Sequence, residues 1–285
     1  MRYTVRAPGS LGACLGRLLA EASGRTRKQM LAGGRVRVNG ATARNADTAL
    51  AAGDVVELAV RGPRRALPPG LDLVHEDDDL IVVDKPAGLL TIATERERQR
   101  TVYAYLTARA RTRKPPARVF VVHRLDRRAS GLLVFARSPV AKRMLQAQFA
   151  AHTVERTYLA VVEGRLARPA GTVASRLLDD APGRVRQTRD PRRGRPAVTH
   201  WRVVRAATRS TLLEVRLETG RRNQVRVHLA GLGHPIAGDA AYGSRTDPFG
   251  RLALHAHVLG FDHPGTGARM RFVSQAPAAF AKLPA

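Results

Sequence analysis

Up to residue 34, apolar positions fall at helical spacing: Leu11, Leu15, Leu18 and Leu19, then Met30 and Leu31. Ser23–Gly24 interrupts the run and Gly33–Gly34 ends it, so the pattern predicts a helix hairpin. "RVRVNG" follows with period-two alternation and an Asn–Gly pair, the signal of a tight β-hairpin, and "LAAGDVVELAV" supplies a further turn and strand. Residues 11–60 therefore read as one compact unit. "RGPRRALPPG" (Arg61 to Gly70), rich in Pro, Gly and Arg, reads as a linker. From about residue 71 strand-like runs dominate: "LIVVD", "RVFVVHRL", "GLLVFA", "TYLAVVEG", "THWRVV" and "TLLEVRLET". "PVAKRMLQAQFA" and "QVRVHLAGLG" read as helices, and "APGRVRQTRDPRRGRPAV" (Ala181 to Val198) as an exposed basic loop. Strands outnumber helices without alternating regularly with them. This predicts an α+β fold on a mixed, largely antiparallel sheet rather than a doubly wound one. The expected boundaries are a small α+β domain at 1–62, a linker at 63–72 and a large domain at 73–285.

The length of 285 residues and 44% hydrophobic content allow a substantial core. A single cysteine, Cys14, excludes an internal disulfide and a cysteine-based zinc site, and fits a reducing, cytoplasmic setting. No apolar run reaches transmembrane length, so no membrane association is expected. "MRYTVRAPGSLGACLGRLLA" has no long apolar core and reads as the start of a folded module rather than a leader. Charge changes the picture most. The formal net charge is +26, which marks a nucleic-acid partner because such a surface neutralises phosphates and releases counterions. Of 49 basic residues 44 are Arg; codon bias can explain that choice but not the excess over 23 acidic residues. Aromatics are only 5%, which favours phosphate contact and RNA shape over rows of stacked bases. Arg25, Arg27, Lys28, Arg35 and Arg37 gather around the second predicted helix and the strand after it, and form a candidate RNA-binding set.

Several chemistries lose support because their signatures are absent: no GxxxxGK[ST], GxGxxG, HExxH or GxSxG occurs. His255 and His257 in "LALHAH" could share a strand face, but they lack an acidic or cysteine partner at metal spacing, and no metal site is expected. What remains is "VFVVHRLDRRASGLLVFAR", where Asp126 stands among Arg124, Arg127 and Arg128 with His123 close by, between two apolar runs at a sheet edge. Three guanidinium groups would favour its ionised form. Such a carboxylate can act as a nucleophile or stabilise positive character at a sugar carbon. The competing reading is a turn Asp in ordinary surface ion pairs. Glycosidic hydrolysis uses two carboxylates, and Asp84 and Asp239 read as structural turn residues, so a lone carboxylate suits a reaction in which the leaving base is reattached.

"HRLDRRASGLLVFARS" resembles the central motif of the RluA family of pseudouridine synthases. "VVDKPAGLL", "ERTYLAVVEG", "LETGRRNQVRVHLAGLGHPIAGDAAYG" and "RLALHAHVLGFDHPGTG" followed by "FVSQAP" resemble the family's other motifs, in order. Residues 11–60 are similar to the S-four-type RNA-binding domain that often precedes this catalytic domain. The resemblance implies an isomerase that converts uridines of structured RNA to pseudouridine in a central cleft, without metal or organic cofactor. It implies Asp126 as the essential carboxylate, and Arg226 as its basic partner with Arg221 as the alternative. Tyr158 would stack on the uracil and help remove the proton from its five-position carbon, and Arg124 would fill the space left by the flipped base. Substrate contacts are also expected from His123 and Leu254, while Lys85 and Pro86 would shape a turn beside the site. Three positions depart from the family pattern: Ala129 stands at a usual Thr, Asn223 at a usual His and Arg156 at a common Lys. Large-subunit ribosomal RNA is the first substrate expected and transfer RNA the second, with the chain acting as a monomer. A non-catalytic RNA binder on the same fold and a hydrolase releasing uracil are the rival readings.

Overall fold

The structure, a computed structural model, describes residues 2–58, 67–111, 117–181 and 184–283. Backbone packing divides the chain into two units, residues 1–66 with 108–117 and residues 67–107 with 118–285. Residues 63–66 of the expected linker at 63–72 lie outside the described residues.

The first unit contains β1 (Arg2–Thr4), β2 (Gly9–Ser10), α1 (Leu11–Leu18), α2 (Gly24–Ala32), β3 (Val36–Val38), β4 (Ala41–Thr42), β5 (Ala49–Leu50) and β6 (Val55–Leu58). Both helices start where a serine can cap them: Ser10 Oγ accepts the Ala13 N–H at 3.2 Å and Ser23 Oγ that of Thr26 at 3.1 Å. The predicted spacing holds, with Leu11, Leu15, Met30 and Leu31 buried against Val36, Val56 and Leu58, and Leu18 and Leu19 partly buried. Asn39 (φ 50°) and Gly40 (φ 80°) are both left-handed, as a two-residue turn joining β3 to β4 requires. The four-stranded sheet runs β1-β6-β3-β4, antiparallel throughout.

In the second unit come β7 (Asp72–Glu76), β8 (Leu80–Lys85), α3 (Val102–Ala110, of which residues 108–110 group with the first unit), β9 (Phe120–Val121), β10 (Ser130–Ala136), α4 (Pro139–Ala150), β11 (Glu155–Glu163), β12 (Ala170–Ala181), β13 (Arg184–Thr188), β14 (Arg195–Ala206), β15 (Ser210–Leu217), α5 (Gln224–Gly231), β16 (Leu254–Asp262) and β17 (Arg269–Val273). An 11-stranded sheet orders these as β13-β12-β14-β15-β11-β16-β10-β8-β7, with β17 on β16 and β9 on β10. Every described pairing in it is antiparallel except β10 with β16. The expected α+β class with a largely antiparallel sheet is therefore what the chain adopts. Leu132 and Val134 of β10 pack with Leu145 of α4 in one core cluster; Val161 of β11 and Leu213 of β15 pack with Leu229 of α5 in another.

Two elements differ from the pattern read in the sequence. Helix α3 was not anticipated: its buried stripe, Val102, Leu106 and Ala110, is short, and Tyr103 and Tyr105 between those positions favour strands. The basic stretch Ala181 to Val198 is not simply a loop, for β13 and the start of β14 lie within it. Val185 and Ala197 point inward and bury with Leu177 and Val227, so sparse apolar anchors hold an arginine-rich ribbon in the sheet. Residues 182–183 of that stretch lie outside the described residues.

Helix α5 also buries His228 completely, between Thr199 Oγ1 at 2.8 Å and Ser175 Oγ at 3.0 Å. Burial pushes its pKa down from 6.5 to about 4. Below pH 6.5 the unfolded chain thus binds a proton that the fold refuses until about pH 4, and stability falls as the pH drops through that window. Urea unfolding at pH 7 and pH 5 is expected to show a loss on the order of 1–2 kcal/mol from this group, with a shallower loss in His228→Gln.

Candidate active site

Asp126 lies on the loop between β9 and β10, not at a sheet edge, because β10 is an interior strand flanked by β8 and β16. The loop is fastened from beneath. Thr91 Oγ1 donates to the Leu125 carbonyl at 2.9 Å and accepts its N–H at 3.2 Å, while Gly88 N–H donates to the Arg127 carbonyl at 2.8 Å. Lys85, fully buried, sends its ammonium to four carbonyl oxygens: Pro86 at 2.9 Å, Leu89 at 2.9 Å, Arg127 at 3.3 Å and Ala129 at 2.6 Å. Burial pushes its pKa down to about 7, against the pull of Asp126. Lys85 thus does more than shape a turn; it ties the end of β8 to both sides of the loop. Where the loop enters β10, Gly131 (φ 111°) sits against Ala256 of β16, and any Cβ would run into that residue's backbone.

Asp126, Arg124, Tyr158, Arg221, Arg226 and Leu254 all line one open cleft. Asp126 is the one carboxylate among its lining residues. Arg226 Nη1 stands 3.4 Å from Asp126 Oδ2. None of Arg124, Arg127 and Arg128 forms an ion pair with Asp126 among the described residues; the cation beside it comes from 100 positions away. Tyr158, on β11, is half-buried; burial pushes its hydroxyl pKa up, the Arg156 cation draws it down and Asp126 pushes it up again. Leu254, buried at the start of β16, contributes an apolar wall.

The strongest contact of Arg226 was not visible in the sequence. Its Nε and Nη2 donate to the two oxygens of Asp239, each at 2.7 Å, and Asp239 is fully buried. Burial alone would lower the Arg226 pKa, but the hydrogen bonds and charge of Asp239 outweigh it and, with Asp126, raise it. The guanidinium also lies over the Tyr242 ring, 4.7 Å from its centre, and donates to Asn223 Oδ1 at 3.0 Å. Asn223, a departure from the family pattern, has φ 54°, a left-handed conformation that Asn tolerates, and its amide donates to the Tyr242 hydroxyl at 3.0 Å. Asp239, read as a turn residue, is therefore the anchor of Arg226. A fully buried carboxylate needs a cation partner, and that need was the available signal.

Other candidates sit elsewhere. His123 does not line the Asp126 cleft: its ring packs 4.6 Å from that of Phe149, and its Nε2 accepts the Val134 N–H at 3.2 Å. Burial, then the Arg156 charge, push its pKa down to about 3. His255 and His257 do share a face of β16, and both reach the Ser274 carbonyl, at 3.3 Å and 2.6 Å. No cluster of metal-ligating residues occurs among the described residues. In the first unit Arg25, Lys28 and Arg37 are exposed and Arg35 is half-buried. Arg27 instead turns back to the carbonyls of Leu19 at 3.2 Å and Ala22 at 2.7 Å, where it closes the end of α1.

A mixed, largely antiparallel sheet thus holds the Asp126 loop, Tyr158 of β11 and Arg226 of α5 around one cleft. Residues 79–231 match the family described as RNA pseudouridylate synthase, and the chain belongs to that family. It is similar to the "Uncharacterized RNA pseudouridine synthase YlyB" of Bacillus subtilis, 38% identical over 90% of this chain and 86% of that protein. The ribosomal large subunit pseudouridine synthase D of Neisseria meningitidis is 34% identical over 95% of this chain and 76% of its own. Among solved structures, human RNA pseudouridylate synthase domain containing 4 superposes with a TM-score of 0.62 at 25% identity, covering 74% of this chain and 90% of that one. Among the described residues no helix is long and apolar enough to cross a membrane.

Proposed function

We propose that this pseudouridine synthase modifies large-subunit ribosomal RNA, with Asp126 as the essential carboxylate. The observation that carries the assignment of Asp126 is its position as the one carboxylate lining the cleft, with Arg226 beside it and Tyr158 in the same wall. The target uridine flips out of its stack at a cost of roughly a few kcal/mol. Arg124, exposed at the rim, has the flat guanidinium to stack in the vacated space. Asp126 attacks the ribose at C1′ or assists formation of a sugar intermediate, and the N1–C1′ bond breaks. The uracil rotates, C5 bonds to C1′, the C5 proton leaves and N1 gains one, so the product is an isomer of the substrate.

The ring of Tyr158 supports the uracil, and its hydroxyl participates in removing the C5 proton. Tyr158→Phe retains the ring and deletes only that group. RNA binding is expected to stay within about threefold while turnover falls on the order of a hundredfold or more, read by single-turnover kinetics at saturating enzyme.

Residues 1–62 act as an S-four-type domain whose exposed Arg25, Lys28 and Arg37 meet phosphates, which supports affinity for a large structured RNA. The ribosomal assignment is supported by the relatives named for the large ribosomal subunit. Purified protein incubated separately with unmodified ribosomal and transfer RNA, followed by carbodiimide labelling and primer extension, tests it. A site-specific stop in the large-subunit RNA is expected. A stop confined to transfer RNA would reassign the substrate.

A further inference from the structure

Three surface clefts meet at Gly220 and Arg221. One holds Asp126, one lies beside Arg195 and Arg222, and one is walled by His123, Phe149, His152 and Arg156. At this junction one cation, Arg156, is buried against the Phe149 ring, 5.5 Å from its centre, with no carboxylate within ion-pair distance among the described residues. Arg156, 7% exposed on β11, donates from Nη2 to the Glu218 carbonyl at 2.9 Å, and its buried Nε has no hydrogen-bond partner among the described residues. Its guanidinium lies so close to the Gly220 backbone that a Cβ there would collide with Nη1. The half-buried Arg221 side chain donates through Nε to a neutral acceptor, the Pro196 carbonyl, at 3.1 Å.

These cations oppose one another. Burial pushes the pKa of Arg221 down and Arg195 adds to the push; burial pushes that of Arg156 down as well, and Arg221 contributes in the same direction while Tyr158 resists. Among the described residues none of Arg156, Arg195 and Arg221 has a carboxylate within ion-pair distance, although the next residue, Arg222, pairs with Asp179 at 3.0 Å. Like charges held together and partly desolvated cost free energy unless an anion joins them. A phosphate oxygen pair fits the fork of a guanidinium and carries the missing charge.

We propose that Arg221, with Arg156 beneath it and Arg195 beside it, forms a subsite for one backbone phosphate adjoining the nucleotide in the Asp126 cleft. The subsite rests on the pseudouridine synthase reading only in taking RNA as the source of that phosphate. It also gives Arg156 a role: the residue links phosphate binding to the neighbouring Tyr158.

Equilibrium dialysis of the full chain against uridine, uridine 5′-monophosphate and uridine 3′-monophosphate tests the subsite without a known target RNA. One of the two nucleotides is expected to bind about tenfold more tightly than uridine, and R221Q is expected to reduce that preference to about twofold. R168Q, at an exposed arginine that lines none of the three clefts, removes the same net charge and should keep the preference. Should R221Q fail to fold, judged by its circular dichroism melt, R195Q provides the same readout with a partial loss. Equal binding of all three ligands to the wild type overturns the subsite, as does an equal loss in R221Q and R168Q. Pseudouridine formation by the same wild-type preparation reports on the catalytic reading independently, so one can fail while the other stands.

Discussion

Asp126→Asn is expected to abolish pseudouridine formation, by at least about 10⁴-fold in single-turnover rate, while RNA affinity stays within a few-fold of wild type. The substitution is nearly isosteric. The loop around it is held by groups that do not involve the carboxylate: Thr91 on Leu125, Gly88 on Arg127 and the Lys85 ammonium on the Arg127 and Ala129 carbonyls. The loop should therefore keep its shape in the variant. No other carboxylate lines the cleft to take over, since Asp239 is fully buried and both its oxygens are engaged by Arg226. Filter binding alongside rate measurement on one RNA separates the two effects. A parallel loss of binding and product would mean that Asp126 serves recognition or folding rather than the reaction.

The second large effect falls on a residue outside the cleft lining. Asp239→Ala leaves the Arg226 guanidinium partly buried without its bidentate partner, and breaking such a pair from one side costs about 3–5 kcal/mol. Urea unfolding should show that loss, and activity should fall with it. Once released, Arg226 keeps Asn223, the Tyr242 ring and the longer contact to Asp126 but loses the bidentate grip that sets its orientation. The double variant Asp239→Leu/Arg226→Met tests whether the pair is there for stability or for the site. Stability should return to within about 1–2 kcal/mol of wild type, because a buried pair is replaceable by apolar groups of similar volume. Activity should not return. Recovery of both would remove Arg226 from the reaction.

Local features of this protein were legible and long-range ones were not. The α1–α2 hairpin and the Asn39–Gly40 turn are set by residues within a few positions of each other, and they formed where spacing and turn chemistry put them. Helix α4 begins at Pro139 behind the capping Ser138 and ends at Ala150, matching "PVAKRMLQAQFA". Asp126 stood out because its motif is contiguous. Its partner Arg226 could be named only through the family resemblance, and the grip of Asp239 on Arg226 depends on a turn folding back beneath α5. The Lys85 clamp reaches carbonyls 42 and 44 positions away, beyond any periodic pattern. His123 was grouped with Arg124 because the two adjoin, yet neighbouring residues of an extended chain point to opposite sides, and His123 turned to Phe149 while Arg124 faces the cleft. The arginine-rich ribbon of β13 and β14 looked like a loop since its only apolar anchors are single residues such as Val185 and Ala197.

The most direct test of isomerisation in the Asp126 cleft is nucleoside analysis of unmodified ribosomal RNA after incubation with wild-type protein, with the Asp126→Asn variant as control. Complete digestion and chromatography should show pseudouridine gained in proportion to enzyme turnover, with no free uracil in the supernatant and neither change in the variant. Free uracil without pseudouridine, or equal pseudouridine from both proteins, would contradict the account.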